Sequence, residues 1–316
     1  MKKALIVGME NYNNCKPLLG CINDATAVCN LLSKNEDGSS NFLCTQKNDL
    51  TTRELTYEVR KLFSEELECG LFYFSGHGST MFGDEYICTK DSDGIIPGLK
   101  TSDLLSTVNS SKCKNKIIIL DSCFSGGMGH TSLIQNADLI GKGVTIITSS
   151  LDNQTSGIIK GRSIFTMLLC KALEGGAANL FGQITPSAMY AFIDKSLVGI
   201  DQRPVFKSNI QESISLRLVK TRISENELKK LPKLFPTLDY TFKLDPSFED
   251  TYENPDKKNV QIFKLLQLYN QNGLVIPIDE NYMYYAAMNS KTCKLTSLGQ
   301  YYWILLSSKT FLIRGK

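Results

Sequence analysis

Four short apolar runs constrain this chain most: Ala4-Leu5-Ile6-Val7, Leu71 to Phe74, Ile117 to Leu120, and the β-branched Val144 to Thr148. A strand with one wet face alternates polar and apolar residues, and these runs do not alternate. Both of their faces must therefore be covered. Helical patterns lie between them. Asn23 is a candidate cap for a helix with Ala25, Val28, Leu31 and Leu32 on its apolar face, and Thr51 with Glu54 reads as a capping box ahead of Leu55, Val59, Leu62 and Phe63. Ser163 to Leu173 reads as a further helix. Buried strands separated by helices predict an α/β/α sandwich with a mainly parallel central sheet.

The texture changes after Leu218. Residues 221–256 contain four prolines (Pro232, Pro236, Pro246, Pro255) and many charges, and read as a connector with little regular structure. From Asn259 a helical pattern resumes with Ile262, Leu265, Leu266 and Tyr269, and Asn272-Gly273 ends it. A strand-like Leu274 to Ile278, a wing-like stretch, Leu295-Thr296-Ser297-Leu298-Gly299 and an aromatic-rich helix through Trp303 follow. The expected organisation is a domain over 1–220, a connector over 221–256 and a small winged-helix-like module over 257–316.

Charge excludes little on its own. The 316 residues sum to +3, but residues 257–316 carry eight Lys/Arg against two acids. That excess fits phosphate contacts, yet Lys257, Lys258 and Lys264 are the only cations on the module's first helix. Docking onto the main domain or a protein partner is the preferred role, and nucleic acid is not expected. The opening Met1-Lys2-Lys3 and apolar run end at Glu10, too short for a signal peptide or a membrane span. We expect a cytoplasmic protein with no membrane segment. Its ten cysteines form no CxxC pair, so reduced thiols and no metal site are expected.

Two residues stand apart by position. His77 follows the Leu71–Phe74 run in Ser75-Gly76-His77-Gly78, and Cys123 follows the Ile117–Leu120 run in Asp121-Ser122-Cys123-Phe124-Ser125-Gly126-Gly127. In an open parallel sheet both emerge at the carboxyl edge, where such folds place their sites. The flanking glycines allow sharp turns and close approach of a substrate. A cysteine alone has a pKa near 8.5, and a neighbouring imidazolium makes it a thiolate near neutrality. The histidine then serves as proton carrier. The backbone N–H groups of Gly78 and Cys123 are the natural oxyanion donors. A lone cysteine after a strand is usually structural, but the two glycine-flanked motifs together point to nucleophilic catalysis.

The chain resembles the caspase and metacaspase group of cysteine peptidases. The resemblance runs over roughly residues 1–218 through ALIVGMENY, LLGCINDATAVCNLL, LFYFSGHGS, IIILDSCFSGG, VTIITSS, SIFTMLLCKALEGG and QRPVF. It implies a caspase-type sandwich, a His77–Cys123 dyad, an oxyanion hole from Gly78 and Cys123, a protein substrate and no required cofactor. The pattern gives His130 no role. Some metacaspases are calcium-activated, and Asp84, Glu85, Asp91 and Asp93 cluster after the histidine strand; a solvated acidic loop is the simpler reading. Only Met128 to Gly143 separates the cysteine motif from the next strand, so an active single chain is expected, with Lys142, Lys160 and Arg162 as candidate self-cleavage sites.

The resemblance also bears on specificity. Metacaspases that cut after basic residues line the pocket from four places, which correspond here to Cys21, Asp24, Ser75 and Asp121. Asp24 and Asp121 would meet the incoming cation. Read on their own, Asp24 could cap a helix and Asp121 could bond loop amides. An Asp-specific pocket needs arginine. The segment Met9 to Asn14 has none, and Arg203 is the one residue arguing for an acidic substrate. Cleavage after Arg or Lys is the expectation. Small domains on bacterial caspase-like proteases often recruit partners in antiviral defence or cell death, which is the biological expectation by analogy. The rival is an inactive caspase homologue acting as a scaffold; such proteins typically lose the histidine or the cysteine, and both are present here.

Overall fold

In the computed structural model, which describes residues 1–81, 83–122, 124–125, 140–149, 158–159, 161–197, 204–210 and 212–308, the first apolar run forms β1 (Lys2–Gly8), buried from Ala4 onward. Helix α1 (Cys21–Ser33), β2 (Phe42–Asn48), α2 (Thr52–Ser64) and β3 (Cys69–Ser75) follow. A hairpin of β4 (Gly78–Met81) and β5 (Asp84–Ile87) leads to β6 (Leu99–Lys100), α3 (Thr101–Asn109), β7 (Asn115–Asp121), β8 (Phe124–Ser125) and β9 (Val144–Thr148). Then come β10 (Ile158–Ile159), β11 (Arg162–Ser163), α4 (Ile164–Lys171), β12 (Gln183–Ile184), α5 (Pro186–Ser196), β13 (Val205–Asn209) and β14 (Arg217–Leu218).

Six strands form the central sheet in the order β13-β9-β7-β3-β1-β2. All neighbours are parallel except β13, which runs antiparallel to β9. The apolar runs are central strands, and every residue of β3 and β7 is buried. Alternate residues feed two cores. Leu5, Val7, Phe72, Phe74, Ile118 and Leu120 pack with Leu55, Val59 and Leu104 of α2 and α3. Ala4, Ile6, Leu71, Tyr73, Ile117 and Ile119 pack with α1, α4 and α5 through Ala25, Val28, Phe165, Leu169 and Met189. Each fully buried Leu, Ile or Phe contributes about 1.5–3 kcal/mol relative to exposure.

Local signals explain the helix starts. Thr51 Oγ1 accepts the Glu54 N–H (3.3 Å) and Glu54 Oε2 accepts the Thr51 N–H (2.9 Å), which closes the expected capping box on α2. Helix α1 departs from expectation. It begins before Asn23, at Cys21, after Gly20 in the left-handed region (φ +104°) and with no capping side chain at that position. Glu10 does the work from a distance: its Oε1 accepts the Gly20 N–H (2.8 Å) and the Ile22 N–H (3.1 Å). A carboxylate at a helix N-terminus also faces the positive end of the helix dipole.

The chain divides into two compact units, Met1–Lys220 and Thr221–Lys316. The second unit contains the residues read as a connector. They carry α6 (Glu225–Leu228), α7 (Leu231–Leu234), β15 (Thr241–Lys243) and a 3₁₀ turn over Pro246–Phe248. Two of the prolines that suggested irregular chain stand near the starts of α7 and the 3₁₀ turn, where a missing N–H costs nothing. Phe235, Phe242 and Phe248 form a chain of ring contacts ending on Phe263. The segment thus supplies core. Helix α8 (Lys257–Gln271), β16 (Val275–Ile278), α9 (Met283–Met288), β17 (Thr292–Leu295) and α10 (Ser297–Ser307) complete the unit, with an antiparallel sheet β15-β17-β16. The wing-like stretch holds α9. Helix α8 buries Phe263, Leu266 and Tyr269, a face rotated from the expected one. Among the described residues no helix is long and apolar enough to cross a membrane.

Candidate active site

The carboxyl ends of β1, β3 and β7 bring most of the candidate residues together. Ser75 is the last residue of β3 and Asp121 the last of β7, and they are register partners. Beyond them, the Gly76 N–H donates to the Asp121 carbonyl (3.2 Å). Gly78 opens β4 and pairs with Phe124 of β8. The two chain segments therefore run side by side on both sides of His77. Cys123 lies outside the described residues, as do His130, Lys160 and Arg203; its described chain neighbours are Ser122 and β8.

His77 is held by groups from the segment after β1. Its backbone N–H donates to the Tyr12 hydroxyl (2.8 Å), and that hydroxyl donates to the Met9 carbonyl (3.3 Å). The Tyr12 and His77 rings lie 4.9 Å apart at 51°. The imidazole Nε2 stands 3.1 Å from the Lys16 carbonyl oxygen. A carbonyl only accepts, so Nε2 carries the proton, and Nδ1 is the basic nitrogen of the neutral ring. Burial raises the Tyr12 hydroxyl well above the ordinary phenol range, so it serves as a neutral strut.

The pocket candidates lie on the α1 and α4 side. Cys21 is the first residue of α1 and is buried; its thiol, hydrogen-bonded to Ser75, is pushed up to about 12 mainly by burial, and so stays protonated. Asp24, in the first turn of α1, is buried with a relative exposure of 1%. Its Oδ2 accepts the Ser163 N–H (3.0 Å) and its Oδ1 accepts from Arg162 Nε (3.0 Å). Burial raises its pKa, and the Ser163 amide and the Arg162 guanidinium oppose the rise. Asp121 Oδ2 accepts from Thr166 Oγ1 (2.6 Å), and Ser163 and Ser149 also hydrogen-bond the carboxyl. Burial still lifts it to about 6, with Asp24 adding in the same direction. Thr166 Oγ1 also bonds Tyr73 Oη. The two aspartates expected to face an incoming cation are therefore already engaged, one by an ion pair within the chain and the other by hydroxyls.

Arg162, Thr166, Ser163 and the Lys16 carbonyl were not read as pocket or dyad parts. Arg162 was read as a candidate self-cleavage site; its side chain is 34% exposed and ion-paired with Asp24. The acids considered for calcium are dispersed over separate tasks. Asp84 pairs with Lys100 (2.7 Å), Asp91 accepts from Thr52 and Thr89, Asp93 accepts the Ile95 and Ile96 N–H groups, and Glu85 is buried. Among the described residues no three His, Cys, Asp or Glu side chains are gathered to hold a metal.

The caspase-domain family model matches residues 1–214, which spans both glycine-flanked motifs and the whole central sheet. The chain belongs to the caspase-domain peptidase family. It is accordingly a cysteine peptidase with a caspase-type α/β fold. Among solved structures it is similar to protein GSU0716 from Geobacter sulfurreducens, with a TM-score of 0.52 and 15% identity over 69% of this chain and 99% of that one. That likeness concerns the fold alone. A search of curated proteins finds no match.

Proposed function

We propose that this caspase-domain peptidase is an endopeptidase that uses His77 and Cys123 as its dyad and cuts after Arg or Lys. The basic nitrogen of His77 takes the Cys123 thiol proton, and the thiolate attacks the scissile carbonyl to form a C–S bond. Backbone N–H groups of Gly78 and Cys123 receive the oxyanion. The imidazolium then protonates the leaving amine as the C–N bond breaks. Water, deprotonated by His77, hydrolyses the thioester and returns the thiol. Support for His77 is its tautomer: the Lys16 carbonyl on Nε2 leaves Nδ1 free to act as base.

One observation carries the specificity. A guanidinium is already seated on Asp24, whose carboxylate, with Asp121, Ser75 and Cys21, makes a buried polar cluster at the carboxyl edge of the sheet. A site that accepts one guanidinium suits a substrate arginine. An aspartate-selective pocket would need an unpaired arginine, and among the described residues the arginine at this cluster, Arg162, is paired with Asp24. By analogy with small domains on bacterial caspase-like proteases, the second unit recruits a protein partner in a defence or cell-death system. Exposed Tyr282, Tyr284 and Tyr285, a residue type common in protein interfaces, support that reading. The test is labelling by a peptidyl-arginine acyloxymethyl ketone. The wild type is modified on Cys123, and C123A is not; modification of a different cysteine would overturn the dyad.

A further inference from the structure

Arg162 reaches Asp24 from a short hairpin. Ile158 pairs with Ser163, and Ile159 with Arg162, in antiparallel register. The turn residue Gly161 (φ +73°) lies against the start of α1: a Cβ on Gly20 would sit 2.0 Å from the Gly161 carbonyl oxygen. The absence of a side chain at Gly20 is what allows the hairpin and the helix to meet. The next residue is fixed as well. The Ser163 N–H is held by Asp24 Oδ2, and its hydroxyl caps α4 by accepting the Thr166 N–H (3.5 Å). Arg162 Nη2 also stands 3.6 Å from Cys170 Sγ, so the guanidinium contacts a buried thiol as well as the carboxylate.

This placement has two consequences. The Arg162–Ser163 peptide bond leads straight into a helix, whose first turn is tied to Asp24 and Asp121. A bond in that setting is not presented as an extended substrate. The side chain nevertheless occupies the carboxylate that a basic substrate needs. Asp24 and Arg162 together are neutral, which leaves Asp121 as the second carboxylate of the cluster.

We propose that Arg162 is an internal, displaceable occupant of the basic-residue pocket, which sets the affinity for cationic substrates by competing with them for Asp24. This rests on the pocket reading given under Proposed function. The ion pair is one-third exposed on the arginine side, where water screens it. A substrate that brings its own guanidinium exchanges one cation for another, so the buried Asp24 stays paired when Arg162 moves out. Removing Arg162 leaves Asp24 buried and unpaired. The variant folds less stably and attracts a cation more strongly, two effects of opposite sign that a merely structural pair does not combine.

The test uses benzamidine, an amidinium that needs no catalysis, titrated calorimetrically into full-length C123A protein carrying Arg162, R162K or R162Q. The proposal expects R162Q to bind benzamidine about fivefold more tightly than the Arg162 protein, with R162K between them, while R162Q has the lower melting temperature. Equal or weaker binding by both variants overturns it. Should R162Q not fold, R162K carries the comparison alone, because an ammonium cannot reproduce the guanidinium's contacts with both Asp24 and Cys170; binding no tighter than that of the Arg162 protein then overturns the proposal. The pocket reading fails in a distinguishable way. In that case the wild-type enzyme prefers an Asp peptide to an Arg peptide, and D24N leaves benzamidine binding unchanged.

Discussion

The two sides of the carboxyl edge are built from different chemistry. On the side of α2 and α3, His77 is held by a tyrosine ring, a phenol hydroxyl and a main-chain carbonyl, all neutral. On the side of α1 and α4, two buried aspartates are held by a guanidinium, an amide and several hydroxyls. Neutral partners fix the tautomer and the orientation of the imidazole. Charged and hydroxyl partners hold the carboxylates in a place where an unpaired charge is costly. On the function proposed above, the first side carries proton transfer and the second carries recognition. It follows that substitutions on the first side reduce kcat, and those on the second change KM.

The largest break in that division is H77A, which removes the proposed base. We expect kcat/KM to fall by about 10³-fold with KM little changed, measured on an Arg-containing fluorogenic peptide. A fall confined to KM would erase the distinction between the sides. D24N comes next. It removes the charge under the substrate cation and leaves Arg162 beside a neutral amide, so KM for the Arg peptide rises by about 30-fold while kcat changes by less than about threefold. A kcat collapse with KM intact would move Asp24 to the catalytic side.

Asp121 sharpens the comparison through pH. Its carboxyl is raised from 3.8 to about 6, first by burial. Below about pH 6 it takes up a proton and the pocket loses a charge, so KM for the Arg peptide rises by about tenfold between pH 7 and pH 5. In D121N that rise is absent; an unchanged rise would take the titration away from Asp121. The stability sign is separate. The folded state binds this proton more tightly than the unfolded chain, so the Asp121 charge costs stability as pH climbs from about 4 through about 6. Chemical denaturation of D121N loses that part of the slope. The smallest expected effect is Y12F. It deletes the acceptor of the His77 N–H and keeps the ring, so kcat falls by about three- to tenfold with KM unchanged. A larger loss in Y12F than in D24N would reverse the order.

Much of this architecture could be read from residue order, because the physics concerned is local. The unbroken runs at Leu71–Phe74 and Ile117–Leu120 are central strands, and Thr51 with Glu54 is a capping box at three-residue spacing. His77 stands just past β3 because a short motif after a buried strand leaves little room for it to go elsewhere. What was hidden depends on distance along the chain. Glu10 caps α1 from ten residues upstream, and Arg162 meets Asp24 across 138 residues. No spacing rule reports either contact. The Lys16 contribution is a carbonyl, which every residue has. Residues 221–256 were misread because prolines at helix starts resemble prolines in a linker, while Phe235, Phe242 and Phe248, the residues that make the segment part of a core, have no regular period.

The central claim is that a cysteine peptidase site on this sheet edge reads a cation through buried carboxylates. Its most direct test is kcat/KM of the full-length wild-type protein on two fluorogenic peptides that differ only in the residue before the cut. The account predicts that the Arg peptide is hydrolysed at least about 100-fold faster than the Asp peptide, with neither cut by C123A. Faster hydrolysis of the Asp peptide would contradict it.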